Sequence, residues 1–269
     1  MRESLGLNLT FATKYIKYMK SKAKFWSIPG LLGGVLGLAM VNLSTGLMAS
    51  VIIQPVVAQP SSQDNNPRIA PIQSHPDGKT YSQWAAAWWQ WALQTPASIN
   101  PLLDKGDCSV GQKGHVWFLG GTLSGETVVR SCTVPTGTSL FFPLINAISG
   151  AFLTDPPEQR TEAYLRQQVA AYIKEPTLLE AEIDGVPVKN PTQYLEESPL
   201  FDVQLPKDNI FGVDENLAPQ LLVSPSVDRG YYLFLKPLNP GQHTITWKAK
   251  IGDLEQNVTY NILVVPGHN

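Results

Sequence analysis

The clearest periodic pattern in the chain predicts a helix that begins at Tyr81. Thr80 and Gln83 have the spacing of a capping box, in which each side chain accepts a hydrogen bond from the other residue's backbone N–H. The sequence YSQWAAAWWQWALQ follows without a break until Pro96, which cannot continue a helix. We therefore expect a single capped helix that ends just before Pro96.

Four tryptophans make most of the circumference of this helix apolar. At about 100° per residue, one stripe contains Tyr81, Trp84, Trp88 and Trp91. Trp89 lies outside the stripe, so it is the one indole that we expect to face a ligand. A stacking platform for glycans and a membrane-interface belt are the alternatives for the whole set. Core packing is favoured, because the lysines and arginines of a membrane-binding face are missing.

A second, amphipathic helix is predicted after residue 154. Asp155 is a suitable N-cap residue, and Pro156 suits the first helical position. The pattern ends before Pro176. Its apolar face consists of Leu165, Val169, Tyr172 and Ile173.

Strand patterns dominate the rest of the chain. Alternation and short apolar runs predict strands at 115–119, 126–134, 139–145, 178–183, 186–188, 201–205, 231–235, 243–250 and 254–265. The turn dipeptide Asp184-Gly185 joins two of them in a hairpin. Many short strands separated by turns predict a mostly β fold with α. We expect one antiparallel β-sandwich domain, Ig-like or jelly-roll-like, that spans residues 77–266 and includes both helices.

The N-terminal residues 1–58 have the composition of a signal peptide. Lysines between positions 14 and 24 precede an uncharged run at 30–53, and Ala58 places a small residue before a cleavage point. An uncleaved membrane anchor is the alternative, and Met19 is an alternative start. Membrane association is expected only if this segment is retained. Residues 59–76 are rich in Pro, Ser, Gln and Asn, so they are predicted to form a flexible leader.

Charge is distributed unevenly along the chain, although its net charge is only −2. Residues 1–58 hold six basic residues and one acidic residue, which leaves 14 basic and 21 acidic residues in 59–269. The predicted folded part is therefore acidic and offers no basic footprint, so no nucleic-acid partner is expected.

The chain contains two cysteines, Cys108 and Cys132. In an exported protein such a pair is most simply a disulfide, which we predict here. A free thiol and a metal pair are the alternatives. The four histidines show no ligand spacing, so neither a metal site nor another cofactor is predicted.

Motifs of common enzyme classes are absent from the sequence. It lacks a G-x-S-x-G elbow, an H-E-x-x-H zinc helix, a P-loop, a dinucleotide fingerprint and a C-x-x-C pair. Hydrolysis by two carboxylates that are distant in sequence is still open, since such pairs carry no local motif. No catalytic residue is predicted, and a non-enzymatic protein is favoured.

Arg130 is the most informative single residue. Strand alternation places it on the interior face of its strand, where a guanidinium needs acceptors. A disulfide between Cys108 and Cys132 would tether the loop that carries Asp104 and Asp107 near Arg130. We expect a structural ion pair. The alternatives are a cationic anchor for a ligand and an arginine that reaches water at a strand end.

His115 and Trp117 are two residues apart on a predicted strand, so they are expected to share one face. A histidine beside an aromatic ring can bind a sugar or serve as an acid–base group. The ordinary interpretation is a histidine at a sheet margin, and it is favoured.

Short acidic clusters offer a third kind of candidate site. Asp104 and Asp107 form one, and further clusters occur at 208–209 and 214–215. Calcium needs six or more oxygen ligands, and no regular loop spacing supplies them. Solvated turns are therefore the favoured interpretation.

Five blocks of the sequence are distinctive: YSQWAAAWWQWA, CSVGQKGHVWFLGG, RSCTVPTGTSLFFPLIN, LPKDNIFG and LKPLNPGQHTITW. Together they resemble a family of secreted bacterial proteins that has no assigned activity. The resemblance covers nearly all of residues 80–265 and implies export and a common fold. The basic leader suits a cyanobacterial signal peptide. No catalytic residue is implied by the resemblance.

These observations favour an exported, non-enzymatic binding protein, with an envelope or extracellular glycan as its partner. Its candidate binding residues are Trp89, His115, Trp117, Arg130, Asp104 and Asp107. A secreted polysaccharide hydrolase or lyase is the alternative, and a structural surface protein is the second alternative. A deep cleft with two carboxylates about 5–10 Å apart would favour the enzyme.

Overall fold

Ten strands and two α-helices are the main regular elements of the described residues. A computed structural model describes residues 66, 68–216 and 218–267, so the predicted signal peptide lies outside the described residues. The helices are α1 (Tyr81–Gln94) and α2 (Glu162–Tyr172). The strands are β1 (Val116–Phe118), β2 (Thr127–Pro135), β3 (Ser139–Gly150), β4 (Leu178–Ile183), β5 (Val186–Pro187), β6 (Leu195–Glu197), β7 (Phe201–Gln204), β8 (Leu222–Leu235), β9 (Gly241–Ile251) and β10 (Leu254–Val265).

The strands form two five-stranded sheets. Sheet 1 has the order β1-β3-β8-β6, with β7 also paired to β8, and sheet 2 has the order β2-β10-β9-β4-β5. Most pairs are antiparallel as predicted, but β1–β3 and β2–β10 are parallel. The purely antiparallel expectation is wrong for these two pairs. In each case the chain leaves the sheet between the two strands and re-enters it in the same direction.

Aromatic side chains join the two sheets into the predicted sandwich. Trp247 of β9 stacks on Phe142 of β3 with ring centroids 5.0 Å apart, and Tyr260 of β10 lies 5.8 Å from Trp247. All three residues are buried. Trp247 and Tyr260 alternate along their strands with outward residues, so β9 and β10 each supply one face to this core.

The long strands of sheet 1 extend beyond their predicted bounds. Almost all residues of β3 and most residues of β8 are buried. Sheet 2 covers one face of sheet 1 and α1 packs on the other, as the rings of Trp84 and Phe234 show. A strand buried on both faces has no polar alternation to mark its ends, which is why the sequence pattern underestimates both lengths.

Helix α1 confirms the capping-box prediction. The Thr80 backbone N–H donates to Gln83 Oε1 at 3.0 Å, and the Gln83 backbone N–H donates to Thr80 Oγ1 at 3.2 Å. Beyond sheet 1, the segment 95–124 covers the helix, with Trp88 Nε1 donating to the Leu119 carbonyl and Trp91 Nε1 to the Val110 carbonyl. The helix is therefore enclosed on two sides.

Helix α2 begins later than predicted. Its N-cap is Thr161, whose side chain accepts a hydrogen bond from the Tyr164 backbone N–H. Asp155 instead accepts from the Phe152 backbone N–H and stabilises the preceding turn, and a short 3₁₀ segment follows at Pro157–Arg160. Both Asp and Thr are good caps, so the sequence did not distinguish the two sites.

The prediction of a flexible leader at residues 59–76 is wrong for its final residues. Ile69 is 1% exposed and forms a bridge with Leu235 of β8, and the Ala70 carbonyl accepts from the Tyr81 hydroxyl at 2.6 Å. Asn66 exchanges two hydrogen bonds with the backbone of Lys189. The polar composition of this stretch hides one isoleucine that fits the end of sheet 1. Residues 59–65 lie outside the described residues.

No helix among the described residues is both long enough and apolar enough to cross a membrane.

Candidate functional site

The predicted disulfide is confirmed. Cys108 and Cys132 are bonded, and their Cα atoms are 5.6 Å apart. The bond fixes the loop between α1 and β1 against the inner face of β2. This loop carries two of the acidic residues that the sequence had singled out.

Removal of this bond is expected to destabilise the domain. Closing a loop of this length is worth about 3.5 kcal/mol on a chain-entropy estimate. The double variant Cys108→Ala/Cys132→Ala should lose about that much free energy of unfolding in a urea titration. The single variant Thr133→Ala, on the exposed side of the same strand, is the control and should change stability by less than about 0.5 kcal/mol. Equal stability of the double variant and the wild type would contradict a structural role.

Arg130 forms the predicted ion pair, but with only one of the two aspartates. Arg130 Nε donates to Asp104 Oδ1 at 2.8 Å, and another guanidinium nitrogen donates to the carbonyls of Gly120 and Gly121 and to the Tyr260 hydroxyl. The Arg130 side chain is 12% exposed. Its Nε and Nη1 donors are therefore occupied by the loop and by β10, and Nη2 lies 2.8 Å from Asp104 Oδ1 in the ion pair, so the guanidinium fastens the loop to β2 and β10.

Asp107 lies apart from this ion pair. It accepts hydrogen bonds from the backbone N–H and the hydroxyl of Ser109, and these bonds lower the pKa of the Asp107 carboxyl. This is the local turn geometry that aspartate commonly adopts. The disulfide brings the loop close to β2, as expected, but Asp107 bonds only to its own loop.

His115 and Trp117 do not form a shared binding face. His115 is exposed in the turn before β1, and Trp117 is half-buried within β1 and packs against the core. The His115 backbone carbonyl accepts from the Ser139 N–H, which joins the start of β1 to β3. The structure therefore gives His115 a place at a sheet margin.

The acidic clusters lie in turns. Asp208 accepts a hydrogen bond from the Ser98 backbone N–H, and Asp214 accepts one from the Asn216 backbone N–H. Within the described ranges, no three His, Cys, Asp or Glu side chains come together as a metal site.

Trp89 faces inward, so the expectation that it faces a ligand on the outside of α1 is wrong. It is 1% exposed, which makes it the most buried of the four indoles of the helix. Its Nε1 donates to Asp228 Oδ2 at 2.9 Å. The error arose because the helix has no solvent side there: Trp89 meets sheet 1 at Asp228, and Trp84 of the stripe meets the same sheet at Phe234.

Asp228 is a buried carboxyl that sequence analysis missed. It is 0% exposed, and Oδ2 accepts from Trp89 Nε1 and from the Tyr232 hydroxyl. Asn146 Nδ2 in turn donates to the Tyr232 hydroxyl at 2.9 Å. Asp228 belongs to β8 but lies outside the predicted strand, and Trp89 is 139 residues away in the chain, so no local pattern reveals the pair.

Burial determines the charge of this carboxyl. It raises the pKa of Asp228 to about 7, because an ionised carboxylate loses its hydration in the core. The hydrogen bonds from Tyr232 and Trp89 act in the opposite direction, and the nearby charges of Glu197 and Glu196 raise the pKa further. The protonation state of Asp228 is therefore linked to the stability of the fold.

A small pocket lies between α1 and the two sheets. Its wall includes Trp88, Trp89 and Asn146, with Gln256 of β10 across from them. The cavity volume is about 20 Å³, which is room for a water-sized molecule rather than a sugar. Its lining residues include no carboxylate. This pocket therefore lacks the arrangement that a glycosidase requires.

An ordered array of hydrogen-bonding side chains lies on the outer surface of sheet 2. We call this array the open face. It consists of the odd-numbered residues of 127–133 in β2, the odd-numbered residues of 257–263 in β10, and residues 244 and 246 in β9. All are exposed or half-buried, and the residues between them on β9 and β10 are buried. Threonine, serine and asparagine occupy all positions except Val129 and Leu263.

The pairing of three strands aligns these side chains. Thr259 lies opposite Val129 on one side and Thr246 on the other, and Asn257 Nδ2 donates to Thr127 Oγ1 at 2.7 Å. The open face itself is uncharged, but charged side chains border it: Lys248 and the Lys250–Glu255 ion pair lie at one end, and the exposed Glu182 of β4 lies opposite Thr246. Each strand of the open face is predictable from its own alternation, but the face is not, since its rows of side chains depend on the parallel β2–β10 pair.

Comparisons with known proteins add little to this picture. No family model matches the chain, and no curated protein matches it. Among solved structures, the solution structure of Amebosin aligns at 9% identity over 57% of this chain and 100% of its own, with a TM-score of 0.21. The structure of PbICP-C in complex with falcipain-2 aligns at 12% identity over 56% of this chain and 100% of its own, with a TM-score of 0.23. Alignments with such TM-scores do not support a functional assignment.

Proposed function

We propose that the protein is an exported, non-enzymatic binding protein whose open face contacts an extracellular or envelope glycan. The observation that carries the proposal is the uncharged array of hydroxyl and amide side chains on sheet 2. Hydroxyl and amide groups both donate and accept hydrogen bonds, as do the hydroxyls of a sugar. An uncharged ligand of this kind requires no charged partner on the protein.

The spacing of the array suits an extended ligand. Side chains on neighbouring strands are about 5 Å apart, and those on one strand repeat every ~7 Å. Val129 and Leu263 are 66% and 42% exposed, and they offer apolar contact beside the polar groups. An open sheet surface with mixed contacts of this kind favours a polymer lying on the surface over a small molecule in a pocket.

Export is supported by two independent features. The disulfide between Cys108 and Cys132 is of the type that persists in oxidising compartments. The lysine-rich leader with its uncharged run precedes the described domain. Cleavage after Ala58 is part of this proposal and is checked by the intact mass of the exported protein.

A glycan array followed by calorimetry tests the proposed contact. The exported wild-type protein is expected to bind at least one polysaccharide on the glycan array. The double variant Thr259→Ala/Asn261→Ala should weaken binding about tenfold, as expected for the loss of one or two hydrogen bonds. Gln167→Ala on α2 changes an exposed amide away from the open face and should leave the affinity unchanged. Equal binding by all three proteins would contradict the role of the open face. Release of soluble sugar from a bound polymer would instead favour the hydrolase alternative.

A further inference from the structure

The two edges of sheet 2 differ greatly in length. β2 is an edge strand of nine residues, whereas β5 at the opposite edge has two residues and includes Pro187. In sheet 1 the described edge strands β1, β6 and β7 have three, three and four residues. Proteins commonly keep edge strands short or interrupt them to prevent pairing with other chains. β2 lacks this protection.

At every second residue of β2, the backbone N–H and C=O groups point away from sheet 2. The Thr136 N–H donates to the Val265 carbonyl, which fixes the even-numbered residues as those that bond to β10 in the parallel ladder. The N–H and C=O groups of Val129, Ser131 and Thr133 therefore point away from the sheet. None of the described residues supplies a hydrogen-bond partner for these groups.

The side chains at these positions do not prevent another strand from approaching. Val129, Ser131 and Thr133 are uncharged and exposed, and among the large apolar residues that the structure describes Val129 has the greatest exposed fraction, at 66%. Arg130 is the charged residue within the strand, and it points inward to Asp104. Pro135 lies at the far end of the strand.

We propose that the edge of β2 pairs with the same edge of a second copy of this chain, antiparallel and about a twofold axis at Ser131. Val129 then lies opposite Thr133 of the second copy, and Ser131 lies opposite Ser131. The three outward residues of each strand supply about six hydrogen bonds, one for each donor. No two like charges face each other in this register, because Glu126 lies opposite Thr136.

The chain's own N-terminal residues fit this edge less well. Asn66 bonds to Lys189 just beyond β5, at the opposite edge of sheet 2. Four inter-strand spacings separate the edges by about 19 Å, while the seven residues 59–65, which precede Asn66 once the chain is cleaved after Ala58 as proposed, extend at most about 25 Å. After crossing the sheet, too few residues remain to pair along β2. A second copy presents a matching edge without this limit.

Sedimentation equilibrium of the exported protein, from micromolar to millimolar concentration in glycan-free buffer, tests the proposal. The wild type should approach the mass of a dimer as concentration rises. Val129→Lys places a charge on the edge, and Ser131→Pro removes the N–H at the axis while leaving the β10 ladder intact. Each variant should weaken association at least tenfold. Gln242→Lys, on the same side of sheet 2 but two strands from the edge, should associate like the wild type.

The possible outcomes separate this inference from its alternatives. A wild-type protein that remains monomeric at millimolar concentration overturns the proposal, as does association that survives both edge substitutions. If the Ser131 N–H resists hydrogen exchange in a monomer, and deletion of residues 59–65 removes that resistance, the chain's own leader occupies the edge instead. The inference does not rest on glycan binding, since the edge pairs through its backbone.

Discussion

Truncation of Trp89 to alanine is expected to lower the free energy of unfolding by at least about 3–5 kcal/mol, the usual cost for a large buried aromatic residue. The indole is 1% exposed, and its Nε1 is one of two donors to the buried oxygen Asp228 Oδ2. Loss of this donor adds the cost of a poorly satisfied buried carboxyl. Urea titrations at constant pH measure the change.

Two further variants separate packing from hydrogen bonding. Trp89→Phe keeps most of the ring but removes the N–H, so it should cost about 1–3 kcal/mol and raise the pKa of Asp228 further. Trp88→Ala is the matched control on the same helix, and its N–H bonds to the backbone of Leu119 rather than to Asp228. A loss for Trp89→Ala well below that for Trp88→Ala would contradict the inward position of Trp89.

The second large effect is a pH dependence of stability that originates at Asp228. Its pKa is raised from 3.8 to about 7 by burial in the folded state. Between these values the folded protein binds more protons than the unfolded chain, so stability falls as pH rises. The contribution is fully present below about pH 4, decreases towards pH 7 and is lost above it. A shift of this size corresponds to at most about 4 kcal/mol.

Asp228→Asn isolates this contribution from those of other groups. The amide keeps an acceptor for Trp89 and Tyr232 but does not ionise, so the variant should match the wild type near pH 4 and exceed its stability near pH 8. Other carboxyls act in the opposite direction: hydrogen bonds from His243 and Thr244 help to lower the pKa of Asp184. For this reason the difference between the two proteins is compared at each pH. Parallel stability curves would contradict the prediction, and infrared titration of the carboxyl checks it directly.

Elements with a local signal were predictable from the sequence. The capping box and Pro96 define α1 because both act within a few residues of its ends. The hairpin of β4 and β5 was predictable since Asp184 adopts the left-handed backbone that its turn requires. The disulfide followed from the number of cysteines and the expected compartment.

Features that depend on distant parts of the chain were not predictable. The direction in which Trp89 points depends on which surfaces enclose α1, and these are formed by sheet 1 and by the loop around Leu119. Similarly, the choice of Asp104 over Asp107 as the partner of Arg130 depends on the exact path of the loop. Hydrophobic patterns indicate burial but not the identity of the neighbour.

The position of β10 has a consequence for the order of assembly. It is the last strand of the described chain, yet it lies between β2 and β9 and provides the sole strand partner of β2 within the described residues. During synthesis, β2 emerges more than a hundred residues before that partner. Sheet 2 therefore closes only after β10 has been synthesised, so β2 remains without its strand partner until then. A polypeptide cut short before β10 would have no completed sandwich, so incomplete chains would be readily recognised by proteases.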